Sequence, residues 1–228
     1  MKKEDAIIIL GTAHLGTTPG KCSPDKSFRE AVYSRELVED IELILKSYGW
    51  NVVVDYKPLS PNSSMKGSTV KECQNKELSW RVNFVNGVVR NNPSKFCIYV
   101  SIHVNGAGSG AEWLRARGWS AYTSPGKTKS DKLASDLYWS AEKYLTEYKG
   151  TFSTSDGLQR PIRKDTTDGD PDYESNLYVL TKTICPAVLT ENLFQDNKKD
   201  VEFLLSDFGR HSIVRIHVDG IIKYLEEA

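Results

Sequence analysis

Near the N-terminus the chain reads Ala6-Ile7-Ile8-Ile9-Leu10-Gly11-Thr12-Ala13-His14, an apolar run that ends at a Gly-Thr turn signal and delivers a histidine. Apolar side chains at successive rather than alternate positions mark a strand buried on both faces, as in a parallel sheet covered by helices. The run is too short for a signal-peptide core or a membrane span.

Working outward, a Gly/Thr/Pro-rich loop follows through about Lys26, and a helix is expected to start near Ser27-Phe28-Arg29-Glu30, where Ser27 and Glu30 have capping-box spacing. Leu37, Val38, Ile41, Ile44, Leu45 and Tyr48 share one helical face, and Gly49 supplies the stop. Val52-Val53-Val54 reads as the second strand and residues 58–75 as a polar loop. Leu78, Val82, Val85 and Val89 form the next helical stripe, and Phe96 to Ile102 the third strand. Gly110 to Thr123 reads as one or two further strands, and Leu133, Leu137, Ala141, Tyr144 and Leu145 mark an amphipathic helix. Residues 150–175 are rich in Gly, Asp, Ser and Thr, long for a connection inside a domain, and such loops are often functional. Asn176–Thr181 and Ala187–Thr190 read as short strands, and Val214, Ile221, Ile222 and Leu225 as the face of a last helix. Alternating strands and helices of this kind give an α/β domain.

Across 228 residues, Lys plus Arg equals Asp plus Glu at 30 each, which argues against nucleic-acid binding through a global positive field. Apolar content of 39% is that of a globular chain. Cys22, Cys73, Cys97 and Cys185 form no CxxC pair, so a thiolate metal site has little support; Cys97 and Cys185 adjoin apolar runs and read as buried free thiols. With no export signal or membrane segment, the reading is of a chain made in the cytoplasm that leaves by another route.

Three ionisable residues share one setting. His14 follows the first strand, His103 follows the third in Ser101-Ile102-His103-Val104-Asn105, and Glu191 follows Pro186-Ala187-Val188-Leu189-Thr190. In open α/β sheets ligands bind beyond the carboxyl ends of the strands. A hydrolytic zinc centre takes three protein ligands and keeps a position for water. His14 and His103 supply two, and Glu30 is the candidate for the third, with Glu36 and Glu39 as rivals further along the helix. Glu191 is then the general base. Each has a plainer reading: the histidines as hydrogen-bonded loop residues, Glu30 as an acid favoured by the helix dipole, and Glu191 as a cap on the next turn. His211 and His217, in the last helix, read as surface or core packing.

These residues resemble a known family, the zinc-dependent N-acetylmuramoyl-L-alanine amidases of bacterial cell separation, sporulation and phage lysis. The resemblance runs along nearly the whole chain. Ile7 to Gly16 is similar to the family's opening strand and first zinc histidine, and Glu30 matches its zinc glutamate by position. Arg81 and Asn86 resemble its Arg/Asn helix, Ser101 to Asn105 its second histidine motif, and Glu191-Asn192-Leu193-Phe194-Gln195-Asp196-Asn197 its catalytic glutamate motif. The resemblance implies one catalytic domain over residues 1–228, an α/β fold with a mixed, mostly parallel sheet of about six strands flanked by helices. It implies a Zn2+ held by His14, Glu30 and His103, and Glu191 as the catalytic residue. The bond cut would be the amide between N-acetylmuramic acid and L-alanine in peptidoglycan, by a monomer acting at the cell wall without nucleic acid or membrane as partner. Asn105, Glu112 and Arg163 are candidate substrate contacts near the rim. Lack of an export signal fits a lysin released through a membrane pore. The alternatives are a zinc peptidase acting on another peptide bond and a catalytically silent peptidoglycan-binding module. Gly11 stands where the family usually has Asp and Leu193 where it usually has Gly, and the stretches 86–101 and 150–175 are longer than usual. These departures bear on substrate preference and loop geometry.

Overall fold

The structure, a computed structural model, describes residues 1–148, 161–165 and 167–228. Its centre is a six-stranded sheet built from β1 (Ala6–Thr12), β2 (Val52–Val54), β3 (Phe96–Asn105), β4 (Ser120–Thr123), β5 (Tyr173–Glu174) and β6 (Ala187–Phe194), in the order β2-β1-β3-β6-β4-β5. The first four in that order are parallel; β4 runs antiparallel to β6, and β5 runs parallel to β4. The sheet is thus mixed and mostly parallel, in a single α/β domain.

The helices are α1 (Glu30–Ser47), α2 (Val70–Asn91), α3 (Lys129–Tyr144), α4 (Tyr178–Thr181), α5 (Lys198–Leu204) and α6 (Asp207–Glu227). Every residue of β1 is buried, as its unbroken apolar run requires. Because side chains alternate along a strand, Ile8, Leu10, Ile98, Val100 and Val188 face α1, α3 and α6 in the larger core. Ile7, Ile9, Tyr99 and Leu189 face the other way, in a second core with Val82 and Val85 of α2 and Val179 and Leu180 of α4. The alternation then carries Ser101 and His103 of β3, with Glu191 of β6, to the α2 side, beyond the end of that second core.

Several expectations are corrected. Ser27 and Glu30 form no capping box. Arg29 is the N-cap without a side-chain bond, Ser27 Oγ donates to Asp25 Oδ1 at 2.8 Å, and Glu30 turns to His103 instead. Helix α2 begins at Val70, inside the stretch read as loop; Thr69 caps it, and its first turns carry no apolar period. Asn176–Thr181 is not a strand: β6 already has β3 and β4 as neighbours, and the segment coils into α4 against α2. Of Gly110–Thr123, only Ser120–Thr123 is strand, because Gly110 and Gly118 adopt φ of 79° and 104°. Tyr48 is 44% exposed and off the buried face of α1. Residues 150–160 and 166 of the long polar stretch lie outside the described residues. All four cysteines are free; Cys97 is buried and Cys185 half-buried.

Candidate active site

His14 stands two residues past the end of β1 with φ of 40°, a left-handed conformation uncommon outside glycine. Its backbone is held on several sides. Arg35 of α1 donates to the carbonyls of Ala13 and His14, each at 2.9 Å, and Arg81 of α2 reaches the His14 carbonyl at 3.5 Å. Ser34 Oγ accepts from the Ala13 N–H at 2.8 Å and donates to the Ile102 carbonyl at 2.6 Å, tying β1, α1 and β3 together. Arg81 is itself buried and salt-bridged to Asp55 (2.7 Å) and Glu77 (2.9 Å). Asp55 in turn accepts from the Thr12 N–H at 3.0 Å and the Tyr99 hydroxyl at 3.1 Å.

Glu30 is the first residue of α1 and is 1% exposed. The loop from Leu15 to Arg29 folds back to place it there, pinned by Glu30 N–H to the Lys21 carbonyl (3.2 Å) and Ser23 N–H to the Phe28 carbonyl (2.9 Å). Glu30 Oε1 lies 3.0 Å from His103 Nδ1 and 3.5 Å from His14 Nε2, and accepts from the Val104 N–H at 3.2 Å. One ligand atom from each of His14, Glu30 and His103 lies within 4.8 Å of the others. Glu30 Oε2 is buried and lacks a hydrogen-bond partner; Lys21 Nζ is 3.9 Å away. The rivals Glu36 and Glu39 do not join this group.

Burial, then the fields of His103, Lys21 and Arg81, push the His14 imidazole down to about 3 against the pull of Glu30. Burial raises Glu30, but its hydrogen bond to His103 and the two histidines outweigh that and hold the carboxyl below its ordinary range. Two imidazoles and one carboxylate, whose second oxygen is buried and unpartnered, are the donor set of a divalent transition-metal site.

Glu191 lies on β6 directly opposite His103 on β3. Its Oε2 is buried without a partner. Burial, with the Glu30 charge added, holds its carboxyl well above the ordinary range. His14, His103 and Glu191 all line a cavity of about 700 Å³. One wall is α2 with Val70, Asn75 and Leu78, and the other is Leu177 and Tyr178. Asn105, Glu112 and Arg163 sit elsewhere: Asn105 accepts from the Gln195 N–H at 2.8 Å, Glu112 is exposed in the loop before β4, and Arg163 lies 5.3 Å over the Phe194 ring. Asn86 pins α2 to the Lys182 and Ile184 backbone. His217 is a buried core residue between Thr190 and Ile213, and His211 is exposed. Arg35, Ser34 and Asp55, which fix the histidine loop, were not singled out from sequence. Asp55 carried a usable signal, since it too follows an apolar strand end.

The sequence profile described as Amidase_3, N-acetylmuramoyl-L-alanine amidase, matches residues 8–223. The chain belongs to this amidase family. Among relatives, it is 30% identical over 136 residues to an endolysin of Bacillus phage SPP1, 59% of this chain and 42% of the endolysin. It is 45% identical over 49 residues to the N-acetylmuramoyl-L-alanine amidase CwlM of Bacillus licheniformis, 22% of this chain and 19% of that protein. The matches therefore span less than half the length of these relatives. The amidase fold is shared with the CwlD amidase of Clostridioides difficile, solved in complex with the GerS lipoprotein (TM-score 0.72, 20% identity, 98% of this chain and 100% of that one). It is also shared with the catalytic domain of CwlV from Bacillus (Paenibacillus) polymyxa var. colistinus (TM-score 0.65, 20% identity, 97% and 98%).

Proposed function

We propose that this chain hydrolyses the amide between N-acetylmuramic acid and L-alanine in peptidoglycan, using a zinc ion held by His14, Glu30 and His103 and Glu191 as its catalytic acid–base. The observation that carries this reading is the convergence of three ligand atoms within 4.8 Å, beside a fourth side chain with a buried, unpartnered carboxylate oxygen. Membership of the amidase family supports the choice of bond. Zinc supplies Lewis acidity and brings the pKa of a water down to about 7.

The chain's own residues do the rest. Glu191 takes the proton of the attacking water on its carboxylate and passes it to the departing L-alanine amine; its raised affinity for protons suits both transfers. Glu30 accepts the Val104 N–H and so stays oriented toward both histidines. The walls formed by α2 and by Leu177–Tyr178 hold the glycan–peptide junction over these groups. The site is assembled within one chain, so a monomer suffices, and its substrate places its action at the cell wall. No helix among the described residues is long and apolar enough to cross a membrane.

Mass spectrometry of digested muropeptides tests the reading. Intact stem peptides beginning at L-alanine are the expected products, and their release should stop with a chelator. Cuts between amino acids would identify a peptidase instead, and wall binding without chelator-sensitive lysis would identify a silent binding module.

A further inference from the structure

Outside the cavity, two carboxyl groups are buried against each other ahead of β5. Asp172 is 1% exposed and Asp170 half-buried, and the two stand within hydrogen-bond reach. Asp172 Oδ2 accepts from Thr123 Oγ1 at 2.6 Å. Asp172 Oδ1 and Asp170 Oδ1 are both buried with no hydrogen-bond partner. Among the described residues no cationic side chain bonds either orphaned oxygen, and Asp131 at the start of α3 adds a further negative field.

Two adjacent carboxylates in a site of low polarity do not both stay ionised without a countercharge. Burial pushes the Asp172 carboxyl up to about 7, with the Thr123 hydroxyl opposing and Asp170 reinforcing the rise. A shared proton neutralises one of the two charges, whereas a divalent ion neutralises both and ligates both orphaned oxygens. The surrounding sequence, Asp168-Gly169-Asp170-Pro171-Asp172, offers oxygen donors and no sulfur or imidazole, and Gly169 turns the chain with φ of 110°. Donors of this type select hard cations.

We propose that Asp170 and Asp172 bind a hard divalent cation of the Ca2+ type, completed by main-chain carbonyls and water. The ion ties the loop to Thr123 on β4 through Asp172. From there the chain passes through β5 and reaches Leu177 and Tyr178, which wall the catalytic cavity. The cation thus braces the sheet edge that leads to that wall and takes no part in hydrolysis.

The test uses the full chain with one equivalent of zinc already added, and reads terbium luminescence excited through tyrosine, Tyr173 being next to Asp172. Expected are saturable terbium emission displaced by Ca2+, and a rise in melting temperature with Ca2+. Asp170→Asn should weaken both at least tenfold, and Asp172→Asn should abolish them. Asp170 is only half-buried, so its variant keeps the test decisive if Asp172→Asn fails to fold. Absence of saturable binding, or binding unchanged in Asp170→Asn, overturns the proposal. A Ca2+-independent gain in stability in both variants would assign the pair a shared proton instead. None of these readouts depends on amide hydrolysis.

Discussion

His103 and Glu191 are register partners on the neighbouring parallel strands β3 and β6, so the sheet itself sets the spacing between a candidate metal ligand and the candidate acid–base. Neither depends on a mobile loop for its position. In the proposed reaction the two have separable roles. Glu191→Gln should keep the metal and lose hydrolysis by roughly 10²–10⁴-fold, the usual contribution of a positioned proton-transfer group. His103→Ala should lose the metal. Elemental analysis beside a muropeptide assay checks both: full turnover in Glu191→Gln, or unchanged zinc in His103→Ala, would overturn the respective role.

Arg81 bridges Asp55 and Glu77 in a setting where all three are buried. Arg81→Met would fill similar volume but leave two carboxylates without their countercharge. Breaking a buried pair from one side costs about 3–5 kcal/mol. We expect a loss of that size in urea unfolding. A second effect should appear at the site, since Arg81 also reaches the His14 carbonyl: weaker metal affinity in whatever fraction remains folded. A loss under ~1 kcal/mol would show that water reaches these carboxylates, contrary to their burial.

The sequence showed the sheet core well because β1, β3 and β6 are apolar runs that can do little else than lie inside a sheet. Glu30, His14 and His103 were legible as strand-end and helix-start residues, whereas their convergence on one ion followed from the family resemblance and not from pattern, since the loop from Leu15 to Arg29 carries no periodic signal. The α2 wall was half visible: Leu78 to Val89 has a stripe, whereas Lys71 to Lys76 is mostly polar and at most half-buried. Leu177 to Leu180 is apolar enough for either a strand or a helical turn, and only the full occupancy of both sides of β6 decides for the turn. Gly11 acquires its reason only in three dimensions. A Cβ there would clash with the Tyr99 hydroxyl, the same hydroxyl that bonds Asp55.

His217 makes the fold sensitive to mild acid. Burial holds its imidazole down to about 4 from an ordinary 6.5, with the Ile213 carbonyl opposing. Between those values the unfolded chain binds a proton that the folded chain refuses. Stability from this residue is therefore fully present above pH 6.5 and declines as pH falls toward 4, by about 3 kcal/mol in all. Urea unfolding of the wild type across this window, compared with His217→Gln, should show the steeper decline in the wild type. Parallel curves would mean that His217 is protonated equally in both states.

Leu193 stands at φ of 67° where β6 bulges against β3, and its side chain is completely buried. Two terms compete there. The left-handed backbone costs a branched residue about 1–2 kcal/mol, while removing a buried leucine side chain costs about 3–5 kcal/mol. Leu193→Ala loses the side chain and keeps the backbone penalty. Leu193→Gly loses the side chain and sheds that penalty. Both variants should be destabilised, with glycine the milder by about 1 kcal/mol, the reverse of the order at ordinary strand or helix positions. Urea midpoints for the two variants decide it: if alanine is the milder, the backbone at 193 is not strained, and the leucine is retained for packing alone.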